Sequence, residues 1–208
     1  MPRSSGRTRW KRFAVVLTPG IAATALLALG MAKGAFAASF FISNEQFKLS
    51  ADSLTGEGLS LYGMIDVARD GTHVPVEVTG FRSARIDGLC QSVVVPIPVL
   101  GPFTLRLTSG DRGAPATARE FFIDTTLLKA DDATIHNIDV GIAAGSLTTG
   151  EISPGDRSSP LFDPNGIALQ GTTTTLRNLR STAVAASAGT INLPGMVISL
   201  RAGRNECF

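Results

Sequence analysis

Beyond residue 37 the chain holds two lysines, one tyrosine and no tryptophan, and the whole sequence has only two histidines and two cysteines. Each scarcity removes a class of function. Lys48 and Lys129 are the lysines left there and the arginines are scattered, so no basic cluster offers itself to nucleic acid. His73, His136, Cys90 and Cys207 share no short ligand spacing, which argues against a metal centre. Glycine-rich phosphate loops and calcium-binding loops are missing, and no cofactor is expected. Gly-x-Ser-x-Gly, whose glycines permit the sharp turn beneath a hydrolase nucleophile, is absent as well. Its nearest match, Gly58-Leu59-Ser60-Leu61-Tyr62, has Tyr62 where the second glycine belongs.

What stands at the front is a leader. Arg3, Arg7, Arg9, Lys11 and Arg12 precede Phe13 to Met31, 19 apolar or small residues without charge, and Ala35-Phe36-Ala37-Ala38 follows. Basic, apolar, then small-any-small is the order of a secretory signal, cut between Ala37 and Ala38 because Ala35 and Ala37 fill the two small-residue positions. An uncleaved signal anchor is the alternative, since a run of that length can cross a bilayer; Pro19-Gly20 interrupts it. Either way residues 38–208 are expected outside the cytoplasm, in the cell envelope or medium, with membrane contact only through residues 13–31. All 17 acids but only 13 of the 19 cations lie after residue 37, which leaves a formal charge of −4 there.

About 171 residues remain after cleavage, enough for one domain that buries roughly 70% of its unfolded surface. Two cysteines in an oxidising compartment are expected to pair. A Cys90–Cys207 bridge closes a loop of about 118 residues, for which loop entropy gives roughly 4–5 kcal/mol. Two unrelated buried thiols are the other reading.

Period-two alternation runs through Phe47-Lys48-Leu49, Leu59 to Tyr62, Val74 to Val78, Phe103 to Leu107 and Met196 to Leu200, the pattern of strands with one buried face. Turn chemistry separates them at Asp70-Gly71, Ser109 to Gly113, Ser153 to Asp156 and Asp163 to Gly166. The expected fold is all-β, a single elongated β-sandwich or flattened β-roll after an N-terminal signal or anchor helix. A short echo recurs in Ile86-Asp87-Gly88-Leu89, Ile135-His136-Asn137-Ile138 and Leu176-Arg177-Asn178-Leu179, and more loosely in Leu193-Pro194-Gly195-Met196. Its Gly or Asn supplies a bulge or left-handed position between two inward side chains. Residues 141–171 pattern most weakly and read as a flexible surface loop, or as a lid or binding loop.

Catalysis by a Ser-His-acid arrangement requires His136 or His73. His136 has Asp124, Asp131, Asp132 and Asp139 near it in sequence, which makes His136 with Asp139 the weak catalytic alternative to no site. His136 also fills the polar slot that Asp87 and Arg177 occupy in the other echoes, as an ordinary solvent-facing residue does. Asp131-Asp132 is an adjacent pair whose side chains diverge on a strand, a poor start for a glycosidase.

Several stretches together resemble an uncharacterised family of exported actinomycete proteins. They are Arg7-Thr8-Arg9-Trp10-Lys11-Arg12, the junction Ala37-Ala38-Ser39-Phe40, Lys48-Leu49-Ser50-Ala51-Asp52-Ser53-Leu54 with Gly56 and Gly58, Leu89-Cys90-Gln91-Ser92-Val93, Asn137-Ile138-Asp139-Val140-Gly141 and Glu206-Cys207-Phe208. Members of that family often carry a transferred label of cholesterol esterase, and the resemblance supplies no catalytic residues. Three classes therefore stand: a non-catalytic envelope or matrix protein, a binder of an apolar, lipid-like ligand, and a hydrolase of sterol or lipid esters.

Overall fold

The computed structural model describes residues 45–111 and 113–208. The leader, its span from Phe13 to Met31 and the Ala35, Ala37 and Ala38 junction lie outside the described residues. Among those described, no helix is long and apolar enough to cross a membrane.

The all-β expectation holds. Nine strands follow in chain order among the described residues: β1 (Phe47–Val67), β2 (His73–Asp87), β3 (Leu89–Ile97), β4 (Gly101–Ser109), β5 (Ala116–Lys129), β6 (Asp132–His136), β7 (Asp139–Ala143), β8 (Ile167–Asn192) and β9 (Val197–Ala202). A single turn of 3₁₀-helix (Ala144–Ser146) and one of α-helix, α1 (Pro154–Arg157), interrupt them. All strands join one antiparallel sheet. β1 pairs β2, β2 pairs β5, β5 pairs β8 and β8 pairs β1 again, so four long strands close a circuit. The 26-residue β8 makes this possible by lying along β1 with its first part and along β5 with its last. β3, β4 and β9 extend outwards from the start of β1.

Two apolar cores occupy opposite faces of this sheet. Phe121 and Phe122 are neighbours on β5, so their rings point opposite ways. Phe121 joins Leu54, Phe81, Ile86, Leu176 and Leu179 in the larger core, whereas Phe122 joins Tyr62, Met64, Val78 and Val184 in the smaller. The echo keeps the larger one filled. Gly88 (φ 63°), Asn178 (φ 49°) and Glu120 (φ 50°) all have left-handed backbone. Each displaces the two-residue alternation by one position, so the pairs Ile86/Leu89, Leu176/Leu179 and Ala118/Phe121, three apart, stay in the same core. Asn137 and Gly195 take the same conformation in the remaining echoes.

Residues 141–171 form more than a connection. β7 ends in them and β8 begins in them, and the stretch between packs Ala144, Ile152, Leu147, Leu161 and Phe162 onto the smaller core. It forms a strap across that face. Gly150 lies so close to β1 that a Cβ there would sit 2.5 Å from the Leu59 carbonyl, which is why a residue without a side chain stands at this point.

Candidate functional site

The residues singled out from sequence fall in separate places. His136 ends β6 opposite Thr173, exposed, with its carbonyl accepting a hydrogen bond from Thr172 Oγ1 at 3.1 Å. Asp139 opens β7, and its Oδ2 accepts from Gln170 Nε2 at 2.9 Å, tying it to the strap. His73 is exposed where β2 begins. Cys90 and Cys207 are joined, with sulfurs 2.01 Å apart and Cα atoms 5.9 Å apart. The bridge is compatible with an exported protein.

Sequence reasoning missed a cluster of carboxyls beneath the strap. Tyr62, Met64 and Asp66 alternate onto one face of β1, Asp124 comes from β5 and Asp156 from α1. Tyr62 is fully buried; its hydroxyl donates to Asp156 Oδ2 at 2.7 Å and accepts from the Ser153 amide at 3.0 Å. The Phe162 ring meets Tyr62 edge-on, with centroids 5.8 Å apart. Burial, then the Asp156 charge, pushes the Tyr62 hydroxyl well above the usual tyrosine range. Burial and the Asp156 charge push Asp66 up to about 6. Burial and the charges of Asp66 and Asp156 push Asp124 up to about 8. Burial also raises Asp156, against the hydrogen bond from Tyr62. Asp66 Oδ2 is buried without a hydrogen-bond partner, and the side-chain contact between the two carboxyls lowers Asp66 and raises Asp124, which favours a proton on Asp124. Chemically this pair holds one proton near neutral pH and shares it. Among the described residues no group of three or more His, Cys, Asp or Glu is arranged to hold a metal ion.

Further polar contacts fasten the strap. Gln170, buried, accepts through Oε1 from the Thr148 and Thr149 amides at 2.8 and 3.0 Å. Ser60 Oγ donates to the Glu151 carbonyl at 2.6 Å, and Arg82 donates to the Thr149 carbonyl.

The outer strands carry the opposite arrangement. Cross-strand partners Ala183, Phe47, Val93, Leu105 and Leu200 form one row from β8 through β1, β3 and β4 to β9. Exposure along it runs from 0% at Ala183 to 41% at Leu105 and 60% at Leu200. Val95 with Phe103, and Leu107 with Ile198, lie on the same face in the flanking rows. The larger core thus runs out onto an open apolar surface. The reverse face is polar and covered: Cys207 N–H donates to Ser92 Oγ at 3.0 Å and Asn205 N–H to Thr104 Oγ1 at 2.9 Å, with Ser92 and Thr104 each 1% exposed. The Cys90–Cys207 bridge pins that C-terminal cover in place.

The chain belongs to a family of unknown function, DUF6230, whose model matches residues 43–208. No curated protein and no solved structure matches it.

Proposed function

We propose that this is an exported, non-catalytic protein of the cell envelope or medium that binds an apolar, lipid-like ligand on the open face of β3, β4 and β9. One observation carries the reading: an apolar row leaves the packed core and continues to Leu200, uncovered among the described residues. Contiguous exposed apolar surface on a soluble domain marks a place where something docks. Binding there needs no catalytic group, in keeping with the separate positions of His136, His73 and the carboxyls.

The experiment is extraction of lipids from the exported protein followed by mass spectrometry, with capture of a fluorescent fatty acid by the wild type and by Leu105→Asp and Leu200→Asp. A recovered lipid, and capture lost in both variants, supports the reading. A protein that carries none and captures none overturns it.

Ester hydrolysis is the competing reading, and the proton-sharing Asp66–Asp124 pair is the feature that favours it, since carboxyl pairs of this kind serve acid–base chemistry elsewhere. Turnover of long-chain or sterol esters that disappears in Asp124→Asn or His136→Ala would replace the binding reading with a catalytic one.

A further inference from the structure

The turn between β3 and β4 is unusual for an exposed tip. Hairpin turns are commonly built from Gly, Asn or Asp. Here Val99 is fully exposed with φ 71°, and Leu100 beside it is 70% exposed. A β-branched residue in left-handed backbone is a genuine outlier, and the usual turn residues would avoid that strain. Leu100 N–H closes the turn on the Ile97 carbonyl at 3.2 Å, with Pro96, Pro98 and Pro102 around it.

Charge within the outer strands has one sign. β3, β4, β9 and the tip contain no Asp or Glu. Arg201 pairs Thr104 across β4 and β9, and the Gly203 amide donates to the Pro102 carbonyl at 2.8 Å, so exposed Arg201 and Arg204 are brought beside the tip. Glu206, the nearest acid along the chain, is 3.4 Å from Lys48. Yet residues 38–208 carry a formal charge of −4. The molecule is acidic as a whole and basic at its apolar tip.

We infer that the outer strands dock on an anionic bilayer surface, with Val99 and Leu100 entering the acyl boundary and Arg201 and Arg204 meeting lipid phosphates. This rests on the binding reading above and names its partner as an assembled membrane. Apolar tips flanked by cations are what an interface of hydrocarbon and anionic headgroups recognises. The acidic body is repelled by the same surface, which sets the orientation. A second copy of the chain brings the same arginines against their own kind and does not exploit that charge.

The test is co-sedimentation of the exported protein with vesicles of phosphatidylcholine, alone or mixed with phosphatidylglycerol. Wild type and variants are prepared identically, so the leader, residues 1–37, contributes equally whether or not it is cleaved. The expected result is binding to the mixed vesicles that weakens with salt. Val99→Asp with Leu100→Asp lowers affinity tenfold or more, on the order of losing one fully buried apolar side chain. Arg201→Gln and Arg204→Gln each lower it about fivefold and remove the preference for phosphatidylglycerol. Val99→Asn relieves the turn, so it raises the unfolding midpoint while weakening vesicle binding, a pairing that a purely structural turn does not produce. Capture of single lipid molecules without vesicle binding would overturn this inference and leave the binding reading standing, whereas loss of both would overturn both. Undiminished sedimentation of the Val99/Leu100 variant, or a stable dimer that buries the face, would also overturn it.

Discussion

The two faces at the ends of β1 are finished in opposite ways. Around Tyr62 the sheet is roofed by the strap, yet between sheet and roof meet three carboxyls with raised proton affinities, Asp156 coming from the roof itself. Around Phe47 the sheet continues into apolar strands with no roof among the described residues. Ordinary burial would place these residues the other way round. The contrast separates two kinds of order. The roofed end is held by hydrogen bonds and a shared proton and therefore depends on conditions. The open end is built on a continuous core with a disulfide behind it and does not rest on a shared proton.

The largest way to break this contrast is to unpin the open end. Cys90→Ser or Cys207→Ser should lower unfolding free energy by about 2–5 kcal/mol, read by denaturant titration. Digestion should then find the 203–208 tail first, because its hold on Ser92 and Thr104 depends on the bridge.

Acidity addresses the other end. Asp66 and Asp124 hold protons more tightly in the fold than the 3.8 of an ordinary aspartate, so the folded state keeps protons that the unfolded chain has released. The stabilisation from this pair is full below about pH 4, falls as pH rises, and is lost above about pH 8. Unfolding midpoints measured between pH 4 and 9 check it. Asp124→Asn should flatten that slope and raise stability at the alkaline end, because an amide still donates to Asp66 without ionising. A midpoint that climbs towards pH 9 would refute the shared proton.

How far these ends could be read from sequence follows from how each is encoded. The disulfide needed only a count and a compartment. The left-handed positions were legible because Gly88, Asn137, Asn178 and Gly195 are residue types that favour that backbone; Glu120 and Val99, which adopt it without the chemistry to announce it, were not. The carboxyl cluster left no trace, since Asp66, Asp124 and Asp156 are far apart along the chain and meet only through strand pairing and the strap. Gly150 and Gln170 fasten a stretch whose pattern reads as loose because its anchors are polar and local periodicity does not register them. Alternation in Phe103 to Leu107 and Met196 to Leu200 correctly located strands, but it reports which side chains share a face and not whether that face is covered. β4 and β9 leave it open.

Tyr62→Phe should have a middling effect. It removes the donor to Asp156 and the acceptor for Ser153 while keeping the ring against Phe162. Unsatisfied buried groups of this kind typically lower stability by about 1–3 kcal/mol. Faster exchange of the amides from Thr148 to Ser153, with those of β3 and β4 unchanged, would locate the loss in the strap.

The smallest effect on stability should come from the open face itself. Ile198 and Leu200 are 56% and 60% exposed on the edge strand, so changing either to Thr removes little buried apolar area and keeps a residue suited to a strand. Unfolding free energy should move by no more than about 0.5 kcal/mol, as for surface positions generally. Capture of an apolar ligand should nevertheless fall, because the row from Phe47 through Leu105 loses its outer end. A shift of several kcal/mol would mean that this face is packed in solution and belongs with the roofed end. Unchanged stability with weakened capture would establish that the core was extended beyond what folding needs.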